Sequence, residues 1–261
     1  MSYVHGYDAR ESERLQDQAG ALVELLHGDT AYPAGARVLE AGCGVGAQTV
    51  TLSARSPHAH FTSIDLSEET LEQARARGLP NVEFVRADIF DLPFAPASFD
   101  HVFVCFVLEH LAEPHEALER LKAVLKPGGT ITVIEGDHGS AYFHPDSAAA
   151  HEAIQCQVAL QRDAGGDSEI GRRLYPLLTE AGFADVRVSP RVVYVDDSRP
   201  DLVDAFTRRT FTAMIEGVRE LAVASGMIAA ERFDEGVRDL YRTAEGGGTF
   251  LYTFFKGVGR R

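Results

Sequence analysis

The chain has 261 residues, long for one domain and short for two, with 45% apolar and 25% charged side chains, the composition of an ordinary globule. Its 25 basic and 39 acidic side chains leave a formal net charge of −14, which disfavours a nucleic-acid partner because phosphate-backbone binding needs a basic surface. Cys43, Cys105 and Cys156 form no C-x-x-C pair, so neither a metal site nor a disulfide framework is expected; the start MSYVHGYDARESER lacks leader character and Val102–Leu108 is too short to span a bilayer, so the expected location is the cytoplasm, with no membrane partner.

Leu15, Ala19, Leu22, Leu25 and Leu26 recur at helical spacing and predict an amphipathic helix over about residues 9–26. Arg37 to Ala41 reads as a short buried strand running into Gly42, followed by a helix from about Ala47 to Arg55. His60 to Asp65 is a second strand, after which Ser67 caps a helix closed by Gly78. Val82 to Arg86 is a third strand, ending in Ala87-Asp88-Ile89, and Phe99 to Phe106 a fourth. Pro114 opens a helix whose buried face is Ala117, Leu118, Leu121 and Val124, and Lys126-Pro127-Gly128-Gly129 stops it before a fifth strand from Thr130 to Ile134. Strand and helix alternate without interruption to this point, which predicts a parallel sheet with right-handed crossovers and helices on both faces.

The second half is less regular. His151 to Gln161 and Gly171 to Ala181 read as helices, and Val186 to Val195 as a strand broken at Pro190. A helical insertion over roughly 198–247 carries Leu202, Phe206, Phe211, Met214, Val218 and Leu221, then Phe233, Val237, Leu240 and Tyr241. TFLYTFFKGVG, Thr249 to Gly259, is apolar on both faces and reads as a final interior strand. The expected organisation is one domain over 1–261, with residues 1–30 as an N-terminal helical lid and 198–247 covering the substrate site. A helical stripe of this kind buries its apolar face against the domain or against a second copy, so a homodimer is a candidate assembly.

VLEAGCGVGAQT, Val38 to Thr49, carries the strongest signal. Gly42, Gly44 and Gly46 lie between the first strand and its helix, where glycine lets the backbone turn sharply and approach a ligand at a helix N-terminus. The same residues satisfy the dinucleotide fingerprint, with Asp65 as the acidic residue, so an NAD(P)-dependent oxidoreductase is the first alternative. Three features favour another ligand. Glu40 suits an ammonium better than a pyrophosphate; Asp88 beside Ile89 suits the amino edge and face of a purine; and the chain ends in an apolar strand rather than a second mononucleotide half.

The ordered set VLEAGCGVG, SIDLS, RADIF, FDHVFVCFVLEHL and LKPGGTITVIE resembles the class I S-adenosylmethionine-dependent methyltransferases, over roughly residues 37–136. The resemblance implies a Rossmann-like α/β fold with a seven-stranded, mostly parallel sheet whose last strand is antiparallel, and S-adenosyl-L-methionine as cofactor. It implies Glu40, Gly42, Gly44 and Gly46 at the methionine part, Asp65 and Leu66 at the ribose, Asp88 and Ile89 at the adenine, and Phe106 near the methionine portion. Relatives also fold a segment like YVHGY over the cofactor, which makes Tyr7 and Arg14 further expected contacts. Some members of this fold hold the cofactor without transferring a methyl group, the second alternative.

VIEGDHGSAYFHP, Val133 to Pro145, places ionisable groups at the mouth of a buried strand, which is costly unless something needs them there. Ligands of open parallel sheets bind outside the carboxyl ends of the strands. His138, flanked by Glu135 and Asp137, is therefore the first candidate for a base, with His110 and Glu135 beside it in the expected catalytic set; Tyr142 and His144 are wall candidates. The fourth strand leads into Cys105-Phe106-Val107-Leu108, unlike the Asn/Asp-Pro-Pro-aromatic run of amino-group DNA methyltransferases, so a small molecule is the expected acceptor. The YVHGY start and VIEGDHGS stretch are also similar to bacterial and archaeal small-molecule methyltransferases. Among these are actinobacterial natural-product enzymes that methylate indole rings at carbon, so C-methylation of such a ring is the sharper expectation.

Overall fold

The structure is a computed structural model that describes residues 22–261. The expected helix before residue 22, most of the expected lid, Tyr7 and Arg14 lie outside the described residues. Residues 22–27 are helical, and the alternating half follows: β1 (Arg37–Ala41), α1 (Ala47–Arg55), β2 (His60–Asp65), α2 (Glu68–Arg75), β3 (Val82–Arg86), β4 (Phe99–Cys105), α3 (Pro114–Val124) and β5 (Leu125–His144). Then come α4 (Ala148–Asp163), α5 (Leu174–Glu180) and β6 (Ala184–Val195). A helical run follows, made of a turn at Pro200–Leu202, a π-helix over Val203–Thr212, α6 (Ala213–Gly217), α7 (Arg219–Ala224) and α8 (Ala230–Arg242), and β7 (Thr249–Arg260) comes last in sequence.

The seven strands form one sheet in the order β3-β2-β1-β4-β5-β7-β6. The β1–β2, β1–β4, β2–β3 and β4–β5 pairs are parallel, and the last strand is antiparallel. Central strands of such a sheet are covered on both faces, and β1 shows it: Val38, Leu39 and Ala41 are buried, and so is Glu40 between them. Ser67 accepts the Thr70 amide at the start of α2, with Glu68 and Glu69 in the first turn where acids favour the helix dipole. Pro114 occupies the first turn of α3, and the face Ala117, Leu118, Leu121 and Val124 enters a core with Leu39, Val102, Ile131, Leu174 and Phe183. Each of the larger side chains among these, from valine to phenylalanine, contributes about 1.5–3 kcal/mol by leaving water.

Three expectations fail instructively. The Lys126–Gly129 segment does not precede β5 but lies within it. Phe99 pairs with Leu125 and His101 with Thr130, so residues 126–129 bulge out opposite Asp100, with Gly128 at a φ of 78°. Nor does β5 end at Ile134: its pairing with β4 stops there, at Cys105, while the strand itself runs on to His144. Pro190 likewise leaves β6 unbroken.

Contacts divide the chain into two compact units. One comprises Val23–Gly136, Ile170–Arg191 and Phe254–Arg261; the other includes Asp137–Glu169 and Val192–Thr253. The division falls within β5, β6 and β7.

Candidate functional site

In the first unit, the loop after β1 is shaped by three glycines in the left-handed region, Gly42 (φ 76°), Gly44 (φ 50°) and Gly46 (φ 74°). They serve different ends. A Cβ on Gly42 would stand 2.4 Å from Cγ2 of Val107, so this position is glycine because a neighbour fills the space. A Cβ on Gly44 would meet nothing within 4 Å, so the backbone there is open to approach. The Gly42 and Cys43 amides donate to the Ile64 carbonyl at 2.8 and 2.9 Å, and the Gly44 amide to Asp65 Oδ2 at 2.8 Å.

Register aligns the acids. Ala41 pairs with Ile64 and Asp65 with Arg86, while the Ala87 amide donates to the Asp65 carbonyl, so the ends of β1, β2 and β3 stand side by side. Asp65 Oδ1 accepts the Ser67 amide at 3.0 Å. Asp88 is half-buried, with Oδ1 accepting the Phe90 amide at 2.9 Å; Ile89 is buried and Leu66 exposed. Glu40, 2% exposed, accepts Thr49 Oγ1 at 2.7 Å and Ser63 Oγ at 2.6 Å on Oε2. Burial raises its pKa to about 7; the two hydroxyls oppose that rise and the charge of Asp65 adds to it. Phe106, just beyond β4, has a φ of 58°, a strained conformation for a bulky side chain, and its ring centroid lies 5.5 Å from that of Phe254.

Glu135 also belongs to this unit and is fully buried. Its Oε1 accepts the Val107 and Leu108 amides at 3.0 and 2.8 Å, at the start of the 3₁₀ turn Leu108–His110, while Oε2 has no hydrogen-bond partner. Burial, then the charge of Glu109, pushes its pKa well above the ordinary carboxylate range. The group accepts two backbone amides, an arrangement suited to holding the turn. His110 Nε2 stands 3.7 Å from Glu109 Oε1 in the same turn.

His138 belongs to the second unit and is buried. Nδ1 lies 3.0 Å from Tyr252 Oη and Nε2 lies 3.3 Å from Met214 Sδ. Each ring nitrogen thus has a neighbour within hydrogen-bonding reach, a phenol at Nδ1 and a thioether at Nε2. The ring centroids of Tyr252 and Phe211 lie 5.8 and 6.1 Å from that of His138. Tyr142, 66% exposed, and His144 face solvent.

Thr49, Ser63 and Tyr252 escaped the sequence reading. The first two carry no motif of their own and are recognised only through Glu40, whereas Tyr252 was legible as a polar group in a largely apolar strand. Lys256, a buried cation in β7, had the same signal: its Nζ lies 2.6 Å from Asp29 Oδ1 and 2.5 Å from Thr30 Oγ1. Among the described residues, no cluster of three or more His, Cys, Asp or Glu is placed to hold a metal, and no helix is long and apolar enough to cross a membrane.

Residues 39–133 match the methyltransferase domain family. Demethylmenaquinone methyltransferase of Clavibacter sepedonicus is 44% identical over 104 residues, 39% of this chain and 42% of that protein. The 27-O-demethylrifamycin SV methyltransferase of Amycolatopsis mediterranei is 27% identical over 227 residues, 84% of this chain and 76% of that protein. The chain spans about half the length of the first curated relatives it matches. The crystal structure of the [4+2]-cyclase SpnF superposes with a TM-score of 0.56 at 21% identity, covering 94% of this chain and 81% of that one, a likeness of fold.

Proposed function

The chain belongs to the class I S-adenosylmethionine-dependent methyltransferases, and on that premise we propose that it moves a methyl group from S-adenosylmethionine to a small-molecule acceptor. The observation that carries the reading is the row of groups at the ends of β1, β2 and β3, with the open Gly44 backbone and the buried Glu40 carboxyl in one loop system. These residues fit the cofactor. Burial raises the Glu40 pKa to about 7, and an ammonium beside it would keep it ionised; Asp65 ends β2 and Asp88 follows β3, so the two carboxylates come from neighbouring strand ends. Glu40, Gly42, Gly44, Gly46 and Phe106 would hold the methionine part, Asp65 and Leu66 the ribose, Asp88 and Ile89 the adenine. Tyr7 and Arg14 complete the proposed contacts.

The cofactor supplies an electrophilic methyl group on a sulfonium, which an acceptor nucleophile displaces in line. The chain's task is alignment of the reacting atoms. An acceptor that must also lose a proton needs a base, and His138 is the proposed one, with His110 and Glu135 completing the proposed set. In its proposed role His138 carries its proton on Nε2, toward the Met214 thioether, and its basic lone pair on Nδ1, toward the Tyr252 hydroxyl. Proton removal therefore runs through the phenol: Tyr252 Oη gives its proton to Nδ1 and takes the acceptor's. An electron-rich ring of the indole type, methylated at carbon in natural-product tailoring, is the acceptor for which such a relay is needed, since carbon attack leaves a ring proton to be lost.

Calorimetry of the chain with S-adenosylhomocysteine and with NADP, followed by incubation of a host extract with methyl-labelled cofactor, tests the reading. Binding of S-adenosylhomocysteine and a labelled small molecule are expected. Binding of the dinucleotide alone would instead make it a reductase, and cofactor binding with no labelled product would make it a cofactor-holding protein. Asp65→Ala should weaken S-adenosylhomocysteine markedly, whereas His138→Ala should lower turnover with the cofactor still bound.

A further inference from the structure

The π-helix Val203–Thr212 sets two residue pairs in line. A π-turn brings residues five apart nearly above one another, whereas on an α-helix they would lie about 140° apart. Phe206 and Phe211 are such a pair, and both rings lie against Phe250 and Tyr252, at centroid distances from 4.8 to 6.0 Å. Thr207 and Thr212 are the adjoining pair, one residue further along. Both are fully buried, and neither hydroxyl has a hydrogen-bond partner. Thr210, between them, shows the usual alternative: its Oγ1 donates to the Ala205 carbonyl at 2.7 Å, five residues back. A buried hydroxyl left without a partner is unfavourable, and two on one helix are hydrogen-bonding capacity that the described chain leaves unused.

The rest of the second unit adds to it. The Gln157 Oε1 and Ser168 Oγ atoms are also buried without partners, and the Ser168 carbonyl accepts the His138 amide at 2.9 Å. Among the described residues of this unit, the buried polar side chains are hydroxyls and amides apart from Asp137 and His138; none is a lysine or arginine. Among the described residues there, no buried lysine or arginine would compensate a carboxylate or phosphate.

We propose that Thr207 and Thr212 are the hydrogen-bonding edge of a binding site within this unit, walled by Phe206 and Phe211, for an uncharged ring-bearing molecule with two hydroxyl, carbonyl or N–H groups. This deepens the acceptor reading, on which it rests for the fate of the molecule and not for its binding. Resorcinol, an uncharged ring with two hydroxyls, is the probe, titrated calorimetrically into the full chain. The wild-type chain is expected to bind it and Thr207→Val/Thr212→Val to bind it about tenfold more weakly, the loss of two neutral hydrogen bonds. Thr210→Val, whose hydroxyl is already satisfied, should bind as wild type does, and Thr207→Ser/Thr212→Ser, which keeps both hydroxyls, should retain binding. The anionic 3,5-dihydroxybenzoate should bind at least about tenfold more weakly than resorcinol. A wild-type chain that ignores resorcinol, or equal affinity in the valine pair, overturns the inference. S-adenosylhomocysteine, titrated into the same samples, reports separately on the methyl-transfer reading.

Discussion

A carboxyl with a pKa near 7 inside a sheet carries its own signature. Below about pH 4.5 Glu40 is protonated in both folded and unfolded chains, and burial adds no ionisation penalty. As pH rises from there to about 7 the unfolded chain ionises first, so stability falls across that window, by about 3 kcal/mol in all, and is level above it. Denaturant titrations at pH 4.5 and 7.5 should show this loss in the wild type and a smaller one in Glu40→Gln. An ammonium-bearing ligand reverses the preference, so S-adenosylhomocysteine affinity should rise between pH 6 and 8 and lose that rise in Glu40→Gln. Glu135 makes the complementary case. A glutamine carbonyl can accept the same two amides, so Glu135→Gln should cost less than Glu135→Ala, which strands the Val107 and Leu108 amides and should cost about 2–3 kcal/mol in the same titrations. A glutamine variant of normal stability and no turnover is the outcome expected of a member of the proposed catalytic set, and one of normal turnover would leave Glu135 as a brace of the turn.

At the scale of elements, Gly42 is the sharpest test. Alanine there meets both a left-handed backbone and the Val107 side chain, so Gly42→Ala should lower stability by about 1–3 kcal/mol and weaken S-adenosylhomocysteine, read by thermal unfolding and calorimetry. The elements from β1 to α3 were legible because each is short, punctuated by Gly, Ser or Pro, and either apolar throughout or apolar on one face. The Phe99 start of β4 and the Pro114 start of α3 fall where the pattern put them. β5 was not legible. Lys126-Pro127-Gly128-Gly129 carries every local mark of a terminator, and only pairing with β4, a non-local interaction, keeps the strand continuous around it. The π-helix was hidden for a related reason: Phe206, Phe211 and Met214 satisfy a loose helical spacing, and the separation of five between the two phenylalanines, its one local sign, does not by itself distinguish the two helix types. For the cofactor loop, the sequence located the acids and glycines but not the hydroxyls of Thr49 and Ser63 that orient Glu40, because those partners come from other elements.

At the scale of the molecule, the fold is shared more widely than any one reaction. A [4+2]-cyclase superposes on most of the chain, so the reaction must be argued from the site and not from the sheet. The acidic balance is a property of the whole, and with −14 formal charges the chain should show no shift of duplex DNA in a gel at 50 mM salt, conditions that favour weak electrostatic binders.

The strand order has a consequence for how the molecule comes into being. β7 lies between β5 and β6, so β6 has no neighbour in the sheet until the strand that follows it in sequence slots in. Lys256 of that strand also meets Asp29, 227 positions earlier. The sheet is therefore completed like an arch, by a late keystone drawn from far along the chain, and such distant closures are slow. Pulse-labelled amides of β6 and β7 should become protected together, after those of β1 to β4, and a nascent chain paused between those two strands would expose β6 as an unpaired ribbon open to rescue or misassociation.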